Sequence, residues 1–148
     1  MVLLDQLTGD LANAQKSKDE VKISTLRLII AKAHNAKIAK GEDLTDDEVL
    51  AEIAKDAKRH RESIEAFEAG GRSDLAKKEK AELAILETYL PKPLSESELA
   101  NMVSEAIAAV GAKQLADLGK VIKAVISSAG ARAEGAKVAE IARKKLSP

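Results

Sequence analysis

The chain has 148 residues, of which 45% are apolar and 32% charged, with 24 basic and 24 acidic side chains in balance. That is enough apolar material for one ordinary domain or two small ones, and the low hydrophobicity with high net charge that marks disorder is missing. Cysteine is absent, which excludes disulfides, thiolate catalysis, zinc–thiolate sites and iron–sulfur clusters.

Phe67 and Tyr89 are the only aromatic residues, so a core must come from Leu, Ile, Val and Ala. Alanine is the best helix former, whereas sheets favour β-branched and aromatic side chains. The fold class expected is all-α. No run approaches the roughly 18 apolar residues of a membrane span. The first ten residues carry two acids and no Lys or Arg, unlike a secretory signal. A cytoplasmic protein with no membrane partner is the resulting expectation.

In chain order, Leu3, Leu4, Leu7 and Leu11 recur at helical spacing. Ser17-Lys18-Asp19-Glu20 has the form of a capping box and predicts a second helix carrying Val21, Leu26, Ile29, Ile30, Ala33 and Ile38, ending near Gly41. Thr45-Asp46-Asp47-Glu48 is a second such box. It opens a long helix through Val49, Leu50, Ile53, Ala57, Ile64 and Phe67, closed by Gly70-Gly71. Ser73-Asp74 is expected to cap a fourth helix with Ala81, Leu83, Leu86 and Leu90 on its apolar side, stopped by Pro91. Pro91-Lys92-Pro93 predicts a short, stiff connector. Ser95-Glu96-Ser97-Glu98 opens a second part. Three helices are predicted there: Leu99 to Val110, a helix capped by Asp117 with Leu118, Val121, Ile122 and Val125, and one with Val138, Ile141, Ala142 and Leu146. The architecture expected is a four-helix N-terminal bundle over residues 1–90, a connector at 91–94, and a small three-helix C-terminal domain over 95–148.

Residues 93–148 hold eight Lys or Arg against six Asp or Glu, and the remainder holds sixteen against eighteen. The C-terminal excess can steer a polyanion weakly. Lys55, Lys58, Arg59 and Arg61 make a basic run that reads as an exposed face, with Glu62 and Glu65 as pairing partners one turn on. His34 and His60 lie on different predicted helices, and neither has a second His or Cys at ligand spacing, so both read as ordinary surface histidines. Asp46, Asp47 and Glu48 sit in a helix first turn, where the macrodipole favours them. No Walker loop, GxGxxG or GxSxG motif occurs. No catalytic residue, no metal site and no cofactor is assigned.

The most suggestive pattern is Asp117 to Val125. It places Gly119 in a helix first turn, where glycine costs stability relative to alanine, with Lys120 and Lys123 on one face. A second glycine loop, Gly130 to Lys137, leads into the last helix, whose N-terminal N–H groups can meet phosphate. Two tight turns between packed helices account for the same pattern without a ligand.

Several segments in order resemble the GatB/YqeY family along essentially the whole chain. They are Leu26-Arg27 with Ala33-His34-Asn35, Glu65-Ala66-Phe67, Glu79 to Glu87 running into Tyr89-Leu90-Pro91-Lys92-Pro93-Leu94-Ser95, Val110-Gly111-Ala112, Asp117 to Val125, and Ala133 to Val138. The resemblance is to the stand-alone YqeY type. It implies an all-helical fold related to the tail of the B subunit of the tRNA-dependent amidotransferase. In that enzyme the tail contacts the body of tRNA, while phosphorylation and amide transfer occur in a separate cradle. By position, the tail's glycine and lysine pattern falls on Gly119, Lys120, Lys123, Gly135 and Val138. Two departures stand in one loop. Ala131 occupies a position where the family often has Gly, and Glu134-Gly135-Ala136 replaces a frequent Asp-Gly-Lys.

The function expected is an accessory protein that binds tRNA or another structured RNA through Gly119, Lys120, Lys123, Arg132, Gly135, Lys137 and Arg143. Carbon–nitrogen ligase activity with glutamine as amido-nitrogen donor attaches to the chain through family association only. Independent catalysis is not expected. The alternatives are a helical protein-interaction module, or a non-catalytic subunit partnered with an amidotransferase or another protein.

Overall fold

Capping chemistry sets several of the helix boundaries. In the computed structural model, which describes residues 2–147, α1 spans Val2–Ser17, α2 Glu20–Lys40, α3 Asp46–Ala69, α4 Ser73–Glu87, α5 Glu96–Val110, α6 Leu118–Ala129 and α7 Gly135–Leu146. Short 3-10 turns occupy Leu115–Asp117 and Gly130–Arg132, and no strand occurs among the described residues. Met1 and Pro148, at the outer ends of the sequence-based domain ranges, lie outside the described residues, as does the side chain of Ala131.

The box at Thr45 is complete. Glu48 N–H donates to Thr45 Oγ1 at 3.2 Å, and Thr45 N–H donates to Glu48 Oε1 at 3.2 Å. Ser95 caps α5 by accepting Glu98 N–H at 3.1 Å. Gly41 and Gly111 close α2 and α5 with φ of 83° and 69°, the left-handed region that a side chain disfavours.

Three boundaries differ from the sequence reading. Ser17 belongs to the end of α1, where its hydroxyl donates to Ala14 O; Asp19 caps α2 by accepting Lys22 N–H. Ser73 lies inside α4, whose N-cap is Arg72 with no side-chain cap; Asp74 is drawn into a 3.2 Å pair with Arg72 instead. The helix also ends at Glu87, short of Pro91. Residues 88–90 tighten into bonds from Thr88, Tyr89 and Leu90 N–H to the carbonyls three residues back. Proline disfavours the α region for the residue before it, so the helix gives way early.

Backbone contacts divide the chain into two compact units, Met1–Leu90 and Pro91–Pro148. In the first, Leu7, Leu26, Ile29, Ala33, Val49, Ile53, Ala57 and Leu86 are fully buried, with Leu44 from the α2–α3 loop closing the cluster. Ala33 and Ala57 put small side chains in this aliphatic core. Ile38, expected on the apolar side of α2, is 78% exposed, and Ala81 of α4 faces solvent. The half-buried Tyr89 packs at the edge of this core, and its hydroxyl donates to Asp10 of α1, fastening the last turn of the unit to its first helix.

In the second unit the core is Leu99, Val103 and Ala106 of α5, Val121 and Val125 of α6, and Val138, Ala142 and Leu146 of α7. The segment around Pro93 is tied to the loop before α7: Leu94 N–H donates to Arg132 O at 3.0 Å, and Arg132 Nε donates to Lys92 O at 3.0 Å.

Two outcomes test this account. Thr45→Ala removes the Oγ1 that accepts from Glu48 N–H, leaving the bond from the backbone N–H of position 45 to Glu48, and should cost about 1 kcal/mol in thermal unfolding. Tyr89→Phe should lose about 1–2 kcal/mol in urea unfolding at neutral pH, because a hydrogen bond to a charged acceptor is removed. Burial, and then the bond to Asp10, push the Tyr89 hydroxyl well above its ordinary value of 10.0. A raised folded-state value stabilises below the unfolded value and loses that contribution as pH rises through the folded one. The gap between wild type and Tyr89→Phe should therefore narrow at strongly alkaline pH.

Candidate functional site

α6 buries Val121 and Val125 and turns Gly119, Lys120 and Lys123 to solvent. At the helical repeat, Lys120 and Lys123 lie about 60° apart and Gly119 about 40° from Lys123, so the three share the outward face. Neither lysine forms a salt bridge among the described residues. The carboxyl of Asp117 is held below the usual carboxylate range, first by the 3.0 Å hydrogen bond from Lys113 N–H and in smaller part by the charge of Lys120. Asp117 therefore ties down the 3-10 turn before α6 and makes no side-chain cap bond to the helix.

A Cβ added at Gly119 or Gly135 would meet nothing within 4 Å. Neither glycine is required by a close approach of the chain to itself. Gly130 is different: its φ of 57° needs glycine, which is why the loop's glycine stands there and not at Ala131.

The other sequence-predicted residues scatter. Lys137, in the first turn of α7, and Arg143 are exposed but lie about 120° apart around that helix, on opposite flanks of its outer face. α7 begins at Gly135 with no side-chain cap from Glu134. Arg132 is committed to the fold, through Lys92 O and a 3.8 Å pair with Glu98. Gly119, Lys120 and Lys123 are thus the part of the predicted set that the structure gathers on one face.

A second assembly was not anticipated. His60 was expected on a helix surface, yet it is 3% exposed and sits among carboxylates. Its Nδ1 contacts Glu79 Oε2 directly and lies 3.6 Å from Glu82 Oε2, both from α4. Its Nε2 lies 3.5 Å from Asp56 Oδ2, one turn back on α3. Asp56 is 2% exposed; its Oδ1 accepts from Lys32 of α2 and, at 2.8 Å, from Arg59. Burial pushes the Asp56 carboxyl up, but these cationic donors outweigh it and leave it below the usual range. Asp56 Oδ2 is buried without a hydrogen-bond partner. The basic run therefore does not pair with Glu62 and Glu65. Lys55 meets Glu52 at 3.5 Å, Arg59 meets Asp56, and Arg61 meets Glu87 at 3.7 Å. A sequence signal existed: Asp56-x-x-x-His60 and Glu79-x-x-Glu82 have the i,i+4 and i,i+3 spacings that put each pair on one helix face. His34, by contrast, is exposed on α2.

Comparison with known proteins follows this geometry. A family model described as Yqey-like protein matches residues 4–146. Altered inheritance of mitochondria protein 41, mitochondrial, from Pyrenophora tritici-repentis is 35% identical over 108 residues, covering 72% of this chain and 60% of the relative. The proteins of that name from Eremothecium gossypii and Saccharomyces cerevisiae strain YJM789 are each 33% identical, over 97 and 94 residues, covering 64% and 63% of this chain and 53% and 51% of theirs. The chain thus spans about half the length of the curated relatives it matches. Their names are mitochondrial, and this overturns the cytoplasmic expectation, which rested on two missing patterns, a secretory signal and a membrane-spanning run, neither of which distinguishes compartments inside the cell. No helix among the described residues is long and apolar enough to cross a membrane. With the family model matching from residue 4 to residue 146, this chain belongs to the YqeY-like family, the GatB/YqeY family that its ordered segments resemble.

Proposed function

We propose that the chain is an accessory protein that binds tRNA or another structured RNA through its C-terminal unit, with no catalytic centre of its own. The observation that carries this reading is the outward face of α6, where two lysines without salt bridges among the described residues lie beside a glycine that no packing contact requires. Phosphate is the ligand such a face suits. Lysine supplies charge without base specificity, and the missing Cβ at Gly119 lets a sugar–phosphate backbone come close. Double-helical RNA is read mainly by shape and phosphate contacts, so a chain with no aromatic stacking platform on this face is adequate to it.

The reading includes a division of labour. A four-helix N-terminal bundle over residues 1–90 leads through the connector at 91–94 into a three-helix domain over 95–148, the counterpart of the amidotransferase tail. In that setting the chain acts as a substrate-positioning companion to a carbon–nitrogen ligase. Lys120, Lys123 and Gly119 form the RNA face; Gly135, Lys137 and Arg143 of α7 are further contacts outside it, and Arg132 supports the loop.

Titration of the full chain against labelled bulk tRNA tests this. Binding should weaken steeply from low to moderate salt, and the Lys120→Ala/Lys123→Ala variant should lower affinity and reduce the salt slope by about 2. Gly119→Ala separates the proposal from a purely structural role. With open space at the Cβ, it should raise the thermal midpoint, by up to about 1 kcal/mol of stability, while weakening RNA binding. Absence of tRNA binding at low salt, or RNA affinity untouched by all three substitutions, would overturn the reading.

A further inference from the structure

We propose that His60, Glu79 and Glu82 form a binding site for one divalent first-row transition-metal ion, with zinc fitting the donors best, and that Asp56 orients the imidazole from the opposite side. The ligand atoms, one from each of the three residues, lie within 4.8 Å of one another. Zinc–ligand bonds of about 2.0–2.2 Å bring such atoms to separations near 3–4 Å, so small side-chain adjustments close the site.

The two ring nitrogens divide the work. Nδ1 faces Glu79 and Glu82; Nε2 faces Asp56 Oδ2 at 3.5 Å. Nδ1 is then the ligating atom and Nε2–H the group donated to Asp56. This is the carboxylate–histidine–metal arrangement, in which an outer carboxylate fixes the tautomer and raises ligand basicity. It gives Asp56 Oδ2, now buried without a hydrogen-bond partner, a donor to accept from.

Charge points the same way. Lys32 and Arg59 both bind Asp56 Oδ1, so their charges are spent there. Glu79 and Glu82 have His60 as their one ion-pair partner among the described residues, and they are only 23% and 16% exposed at the side chain. Two carboxylates converging on one imidazole match a dication. The donor set of one nitrogen and two oxygens suits zinc, manganese or cobalt; calcium takes six to eight oxygens and magnesium an oxygen octahedron. The partial exposure of the two glutamates leaves room for water in the fourth position of a zinc ion.

The test uses the chelator-treated full chain and metal salts alone, without RNA. Calorimetric titration with Zn2+ should show saturable uptake of one ion per chain, with a thermal midpoint that rises with Zn2+ concentration. Mn2+ should broaden amide resonances around residues 56–60 of α3 and 79–82 of α4 in the wild-type chain, a readout that no variant's folding can confuse. Glu79→Gln/Glu82→Gln should abolish Zn2+ uptake with helicity retained. Asp56→Asn should weaken it by about 10–100-fold. No saturable Zn2+ uptake by the wild-type chain, equal uptake by the double variant, or Mn2+ broadening confined to other acidic surfaces would each overturn the proposal.

Discussion

A carboxylate almost wholly withdrawn from water is the constraint around which the N-terminal unit is arranged. Removing Asp56 from solvent carries a desolvation penalty of several kcal/mol unless cations and hydrogen bonds replace the water. Lys32 of α2 and Arg59 of α3 supply them at Oδ1, and His60 turns its ring toward Oδ2. The other ring nitrogen then faces α4 and its acids. One buried acid thus dictates what three helices must present to one another. Replacing such a network with apolar residues often leaves stability unchanged or improved, so its persistence is not explained by stability alone.

The apolar core makes this arrangement possible. Ile53 and Ala57 flank Asp56 on α3 and are fully buried with Leu26, Ile29 and Ala33 of α2. Lys32, next to the buried Ala33, donates from α2 to Asp56 of α3. A larger side chain at position 33 or 57, both fully buried, would overpack this core.

Fold class was legible in the sequence because alanine-rich composition, 3.6-residue periodicity and complete capping signals all agree. Thr45 with Glu48 is the clearest case: both bonds of the box form as the residue types require. At α2 the sequence misled: the box form pointed to Ser17 as the cap, but Ser17 turns its hydroxyl back to Ala14 O at the end of α1, and Asp19 accepts from Lys22 N–H instead. The outer face of α6 was legible because it needs only the helical repeat. The Asp56–His60–Glu79–Glu82 cluster was not, because its members come from two helices and meet only after packing. A search for a second His or Cys near His60 also overlooked carboxylates as partners. Arg132 shows the converse error: a base beside a glycine loop reads as a ligand contact, but its guanidinium is committed to Lys92 O and Glu98.

The two candidate regions share a physical logic. Natural sequences are locally consistent, so a residue that costs stability without visible structural return marks a place where another requirement acts. Gly119 lacks a side chain in a helix first turn although its φ is not in the left-handed region and nothing within 4 Å forbids one. Asp56 Oδ2 is stripped of water without a hydrogen-bond partner. At Gly130 and Gly111 the positive φ accounts fully for the residue, and no further requirement need be sought. The contrast gives the argument its force: where backbone geometry explains a glycine, or a paired donor explains a buried acid, function adds nothing. Where neither does, the two proposals name a chemistry for the unmet requirement, an anion at the α6 face and a cation between α3 and α4.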